Sequence, residues 1–436
     1  MRANRIFVFL LFLGSLIGVL FTRASIYMRL FYLACLIIGG SWLWVRLSIA
    51  GLKLTRLSRS LRANVGDSYK ENFEVSNMNP WLCPWVEIHD ETDLPTSAGS
   101  RLLVGIKKRN KHSYLAHTWL TQRGAFSLGP TTLITRDPFG LFNMSKTFPS
   151  ESELVILPFI ANVDFFPTSP GLLPGGKVVR QKALGITPHA AGIREYAPGD
   201  ALRRIHWPTS ARKQRLMVKE FDQDPQSEIW IFLDAEAEVQ ASLVDEELAF
   251  RWDGWMLGNR PDFKIPPSSF EYGVAIAASL AHYFISQRRA VGLVVAGQIN
   301  IAIPADQSFR QEEEILETLA YVKGEGNLSI DGLVAAQAGQ LLQGSSVVLI
   351  TPSVRSEVIH AVDDLLRRNL HPTVVLLDAG SFGSPDSNDA FVESLNNINV
   401  PVCHITCGAD LGSGLSGVSK KYPYQETNQW FTPSIP

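Results

Sequence analysis

Glu228–Glu238, EIWIFLDAEAE, decides the fold. Five consecutive apolar residues without alternation are what a strand buried on both faces needs. The run stops at Asp234 and gives way to alternating carboxylates, as at the exposed end of a strand. Four more runs repeat the pattern: Ala290–Gly297, Ser346–Pro352, Thr373–Ala379 and Val400–Thr406. Helical periodicity fills the intervals at 272–287, 308–322, 334–343, 354–368 and 388–397. This alternation predicts an α/β domain over 226–411, a doubly wound and mostly parallel sheet, with Asn300–Ala305 as an edge hairpin. Residues 238–270 interrupt it as an insertion. Ligands of such sheets bind at the carboxyl ends of strands, here Asp234, Thr351 and Asp378.

Asp234, Glu236 and Glu238 at i, i+2 and i+4 could converge on a hard cation. They equally suit a solvated acidic turn, which is favoured because no matching ligand set stands elsewhere. Cys403-His404-x-x-Cys407 offers soft ligands, but alternation puts the two thiols on one face and the imidazole on the other, as in core packing.

N-terminal to this domain, residues 177–220 carry ten bases against three acids, a net +7 that leaves −9 for the rest of the chain. Anionic headgroups, an acidic partner or an internal salt-bridge network would each account for it. Tyr196, Ile205 and Trp207 interleave with the charges and favour the packed network. Asp200 stands to cap a helix beginning at Ala201, which Pro208 shortens, with Thr209 or Ser210 capping a second turn. Gly171–Lys177 imitates a phosphate loop, but Val178 replaces the magnesium-binding hydroxyl, so nucleotide binding is rejected.

Residues 51–165 hold short half-apolar strands punctuated by Asn79-Pro80, Arg123-Gly124 and Gly129-Pro130, which predicts an all-β, sandwich-like domain. Ahead of it, residues 6–22 and 30–50 are apolar enough for two membrane spans, a hairpin over 1–50. A cleaved signal peptide is the rival for the first, and the second run following at once argues against it. Arg2 and Arg5 before the hairpin and Arg46, Lys53, Arg56, Arg59 and Arg62 after it outweigh Arg23 and Arg29 in the loop, so both ends are expected on the cytoplasmic side. Trp42 and Trp44 suit an interfacial belt. The balance of 40 bases and 42 acids argues against a globally basic nucleic-acid binder, and four cysteines without a C-x-x-C pair exclude a disulfide scaffold or zinc ribbon.

The pattern Gly192-x-Arg194-Glu195-Tyr196-x-Pro198-Gly199-Asp200-x-x-Arg203-x-Ile205-x-Trp207-x-x-Ser210-Ala211-Arg212, then Val218-Lys219-Glu220, resembles the defining motif of the bacterial domain of unknown function 58 family. Asp137-Pro138-Phe139-Gly140-Leu141-Phe142 and the paired spans are similar to that family too. The resemblance implies that the α/β body is similar to a von Willebrand factor type A domain. It also implies pairing with a MoxR-type AAA+ ATPase and with a transglutaminase-like membrane protein. Type A domains often carry a metal site written Asp-x-Ser-x-Ser. Here Asp234 matches, Glu236 and Glu238 replace the serines, and Thr351 stands where a later aspartate is common, a change that alters the metal preference or removes the site. No cofactor is therefore expected.

The resulting domain plan is the hairpin (1–50), the β domain (51–165), a basic linker with the motif (166–225), the α/β domain (226–411) and a polar tail (412–436). The expected function is a membrane-anchored, non-enzymatic adaptor or assembly factor at the cytoplasmic face. The alternatives are a metal-assisted hydrolase using the three carboxylates and a binder of anionic lipid or polyanion through 177–220.

Overall fold

The computed structural model describes residues 2–22, 24–58, 60–95, 97–167, 190–196, 205–221, 228–243, 263–384, 389–398 and 400–416. The chain divides into two compact units, one of residues 1–159 with 245–266 and 316–321, the other of the remainder.

In the first unit, α1 (Arg2–Phe21) and α2 (Ser25–Ala50) form an apolar helical hairpin. Phe12 packs on Phe31 at 5.4 Å, and Gly18 admits the ring of Tyr27 where any Cβ would collide. Ten strands follow: β1 (Leu52–Ser58), β2 (Arg62–Asn64), β3 (Ser68–Asn77), β4 (Cys83–Asp90), β5 (Arg101–Ile106), β6 (Lys111–Trp119), β7 (Gly124–Ser127), β8 (Thr131–Arg136), β9 (Asn143–Phe148) and β10 (Glu153–Leu157). They make three sheets, in the orders β1-β3-β6, β5-β4-β8-β9 and β2-β10-β7. The first two enclose one core, in which Leu52, Phe73, Val75 and Tyr114 meet Val86, Ile88, Leu103 and Leu133. The third sheet has its own core around Leu120, Leu128, Leu154 and Ile156.

Gly129-Pro130 separates β7 from β8, because Pro130 has no N–H for a ladder and Gly129 turns at φ +37° against the carbonyl of Glu91. One local expectation changes here. The basic run after the hairpin is partly strand β1. Its Arg56 is half-buried, and its guanidinium bridges Glu71 at 2.8 Å and Asp90 at 2.9 Å. Burial lowers the pKa of Arg56, but the two carboxylates outweigh it and the net shift is upward. That of Asp90 is raised, burial exceeding the opposing pull of Arg56.

The second unit begins with a two-stranded antiparallel ribbon, β11 (Ala190–Glu195) with β12 (Met217–Phe221), and the short helix α3 (Trp207–Lys213) between them. Its main sheet has the order β15-β14-β13-β16-β17-β18, built from β13 (Ile229–Leu233), β14 (Val291–Ala296), β15 (Asn300–Asp306), β16 (Ser346–Thr351), β17 (His371–Leu377) and β18 (Val402–Ile405). Five strands are parallel and β15 is an antiparallel edge. The helices are α4 (Ser269–Ser286), α5 (Phe309–Tyr321, its residues from 316 grouped with the first unit), α6 (Ile330–Gln337), α7 (Ser356–Arg367), α8 (Asp389–Asn397) and α9 (Leu411–Ser416). Phe232, Leu349 and Leu376 face α6, α7 and α8, while Leu233, Ile350 and Leu377 close around Gly273 of α4. Adjacent residues of one strand thus bury against opposite layers, which explains the lack of alternation in the sequence.

The expected fold class, a type A-like α/β body preceded by an all-β sandwich-like domain and two membrane helices, is corrected. The N-terminal region is dominated by β-sheet, with ten described strands in three sheets before residue 158, so the chain is a mixed one. The type A likeness does not stand. It came from a motif at 192–220, which lies outside the main sheet and specifies nothing about its topology, while buried parallel strands look alike in any doubly wound arrangement. The expected linker and tail also change. The stretch 166–225 contains the β11–β12 ribbon and α3, and the polar tail starts later than 412, since Leu411 and Leu415 of α9 are buried.

Candidate functional site

In the main sheet the chain reverses direction of travel between β13 and β16, and the two strands pair from Ile229↔Ser346 to Leu233↔Ile350. Their carboxyl ends therefore open side by side at the switch point, where doubly wound sheets place ligands. Asp234 and Thr351 are the first residues past this register. Asp234 is 2% exposed and Thr351 fully buried. The Thr351 hydroxyl donates to Asp234 Oδ2 at 2.6 Å and accepts from the Ser353 amide at 2.9 Å, while the Glu236 amide donates to Asp234 Oδ1 at 3.1 Å. Both carboxylate oxygens of Asp234 are thus engaged. Burial pushes its pKa up to about 6, against those hydrogen bonds.

Glu236 and Glu238 converge on Arg355, just before α7. Arg355 donates from Nη1 to Glu236 Oε1 at 3.2 Å and from Nη2 to Glu238 Oε2 at 3.3 Å. Glu236 is buried and its pKa raised by that burial, with Arg355 opposing. Glu238 is exposed, and its hydrogen bond is the chief cause of a raised Arg355 pKa. The loop is fixed from below by Gly326, whose amide donates to the Ala235 carbonyl and whose carbonyl accepts from Ala237, each at 2.8 Å. Gln240 Nε2 donates to the Asp234 carbonyl at 3.1 Å, and Ser269 at the start of α4 holds Gln240 in turn at 2.7 Å.

The expected metal ligands do come together, but as an ion-paired network and not as an open set of oxygens. The pair Asp234–Thr351 is closed on itself, and the glutamates face a guanidinium. Among the described residues no group of three His, Cys, Asp or Glu side chains is placed to hold a metal ion. The donor set does not fit a divalent cation. Sequence reasoning missed Arg355, Ser353, Gln240 and Gly326. The order of β13 beside β16 brings Arg355 over residues more than a hundred positions earlier, and periodicity carries no signal of that adjacency.

The described motif residues lie on the β11–β12 ribbon and on α3. Pro198, Gly199, Asp200 and Arg203 lie outside the described residues, as do the side chains of Arg194 and Lys219. Asp200 as a helix cap thus falls there too. The described helix α3 begins at Trp207, with Pro208 in its first turn, where no amide partner is needed. His206 caps it by accepting from the Thr209 amide at 3.3 Å, the role expected of other residues. Ser210 is buried, accepts from the Met217 amide at 2.8 Å and donates to the His206 carbonyl at 3.0 Å, which ties α3 to β12. The Tyr196 amide donates to Leu216 at 2.9 Å, and Glu195 pairs with Arg215. Trp207 is 65% exposed and Arg212 is exposed, so neither belongs to the expected packed network. Cys403 is buried and its thiol pushed up to about 12 by that burial, whereas His404 is exposed; this is core packing.

The ribbon, α3, β13 and all three carboxylates fall within one recognisable segment. Residues 192–244 match the model of the family described as protein of unknown function DUF58. That match covers this segment alone. It is also 20% identical over 245 residues to the uncharacterized protein YeaD of Bacillus subtilis (strain 168), a match covering 55% of this chain and 54% of that protein. The chain thus spans about half the length of this curated relative. Among solved structures, the CARDB domain of the PF1109 protein from Pyrococcus furiosus, crystallised with di-metal ions, matches 24% of this chain and 91% of its own at 10% identity and a TM-score of 0.18. A Paenibacillus sp. cycloisomaltooligosaccharide glucanotransferase matches 74% of this chain and 44% of its own at 8% identity and a TM-score of 0.15. Neither likeness bears on function.

Proposed function

We propose that this DUF58-segment protein is a membrane-anchored adaptor that acts through the carboxyl edge of its main sheet. Helices Asn4–Phe21 and Ser25–Ala50 are long and apolar enough to cross a bilayer, which supports the anchor. The observation that carries the adaptor role is the bracketing of Arg355 by Glu236 and Glu238 above the closed Asp234–Thr351 pair. A cation and two carboxylates held at one edge, one carboxylate exposed, form a charge pattern that a complementary protein surface can read. The proposed partner is a MoxR-type AAA+ ATPase, with a transglutaminase-like membrane protein in the same assembly, and the proposed location is the cytoplasmic face of the inner membrane.

Affinity purification of the tagged full chain from solubilised membranes, with a slowly hydrolysed ATP analogue present, tests this. Recovery of an AAA+ ATPase with the unaltered chain, reduced at least tenfold by Arg355→Glu, is the expected result. Recovery of no ATPase, or equal recovery with the variant, contradicts it.

A further inference from the structure

The hairpin is fixed to the β domain by three loops. The last turns of α2 are half embedded in protein, with Val45, Ser48 and Ile49 buried. Asn79 Nδ2 donates to the Ser48 carbonyl at 2.9 Å, and the Met78 amide donates to Gly51 at 2.8 Å. A Cβ on Gly51 would collide with the Asn79 side chain, so the β3–β4 loop sits hard against the helix end. The β5–β6 loop is bound to it: the Arg109 amide donates to the Asn79 carbonyl at 3.2 Å, and buried Asn77 Nδ2 donates to the Ile106 and Lys107 carbonyls at 3.3 Å each. The third loop, Asp137–Phe142, meets the start of α1, where Asn4 Nδ2 donates to the Phe139 carbonyl at 3.1 Å. Fully buried Asp137 braces it, accepting from the Phe139 amide at 3.0 Å and the Phe142 amide at 2.7 Å, with Gly140 at φ +71°.

These braces hold out side chains that gain nothing in water. Met78, Leu82 and Phe139 are 53%, 48% and 53% exposed, and Lys107, Lys108 and Arg109 are all exposed. Length fixes the level at which they stand. Leu30–Val45, the uncharged stretch between Arg29 and Arg46, is ~24 Å at ~1.5 Å per residue, most of one hydrocarbon core, and Trp42 and Trp44 mark its boundary. Ser48 is then ~6 Å beyond Trp44, within the headgroup layer, which adds ~5–7 Å on each side.

We infer that the loops at 78–82, 107–109 and 137–142 form a collar that docks on anionic lipid headgroups around the hairpin, with the three apolar side chains entering the interface and the three bases pairing with phosphate. The inference rests on the membrane-anchor reading and adds a surface to it. The Asp-Pro-Phe-Gly turn thereby acquires a role: it presents Phe139 beside the mouth of α1. The collar resists tilting of the β domain and selects lipid charge, since each base near such a surface adds to the attraction.

The test uses the full chain in vesicles of phosphatidylcholine with or without phosphatidylglycerol, carrying an environment-sensitive fluorescent amino acid at position 82, 139 or 115. Position 115, on the outer face of β6, is the reference. Brominated lipid should quench the label at 82 and at 139 at least threefold more than at 115. Lys107→Glu/Lys108→Glu/Arg109→Glu should at least halve quenching at 82 in anionic vesicles and abolish the dependence on phosphatidylglycerol. Equal quenching at all three positions in protein that resists carbonate extraction overturns the collar and leaves the anchor standing. Unchanged quenching in the charge-reversal variant overturns the choice of anionic lipid. Release by carbonate overturns the anchor and the collar together.

Discussion

Arg56 is one cation set between two carboxylates that are almost wholly out of solvent, with its guanidinium 5.0 Å above the ring of Phe73. Removing it leaves Glu71 and Asp90 buried without a counter-charge, a loss of about 3–5 kcal/mol. Denaturant unfolding of Arg56→Met should show that loss, and adding Glu71→Gln and Asp90→Asn to it should recover most of it. At the other unit, Asp234 has a folded pKa of about 6 against an unfolded value near 3.8. The native state then binds the extra proton between those values, so stability falls as pH rises from about 4 to about 6, by on the order of 3 kcal/mol. Burial raises the pKa of Glu236 and Asp90 as well, which adds to the same trend. Thermal unfolding between pH 4 and 7 should be visibly flatter for Asp234→Asn than for the unaltered chain. Asp234 as the strand-ending carboxylate was legible in the sequence because an apolar run stops there. Arg56 was not, since a base in a basic run gives no sign of being turned inward.

At the scale of elements, the loop bearing Glu236 and Glu238 is held by a backbone contact. Gly326 bonds to Ala235 and Ala237, and a Cβ there would collide with the Ala296 carbonyl and lie 2.8 Å from that of Ala235. Gly326→Ala should cost about 1–3 kcal/mol, as overpacking does, and displace the carboxylate loop, seen as a lowered Tm and shifted resonances for Ala235–Glu238. The buried strands could be read from composition because a short unbroken run of Ile, Leu and Val, bounded by turn residues, suits a strand covered on both faces. Strand β3 alternates only in part, Tyr69, Phe73 and Val75 being buried with the polar Glu71 among them. Strand β9, whose exposed and half-exposed positions alternate without a buried residue, left no such trace. The helix α3 begins at Trp207 with Pro208 in its first turn, slightly before the second turn expected from Thr209 or Ser210; the helix expected from Ala201 lies outside the described residues.

For the whole molecule, strand-rich sequence up to residue 157 predicts a β domain, and the structure makes it three sheets where two were expected. Strand order decides what each edge can present, and order is a long-range property that local periodicity does not encode. The meeting of Glu236 and Glu238 with Arg355 follows only from β13 lying beside β16. The proposed adaptor role depends on that edge touching a partner while the hairpin holds the chain in the bilayer. The most direct test is a photo-cross-linking amino acid at position 238 of the full chain in native membranes. The account predicts an ATP-dependent cross-link to an AAA+ ATPase at 238, weakened by Arg355→Glu. Efficient photoactivation that yields no cross-linked ATPase would contradict it.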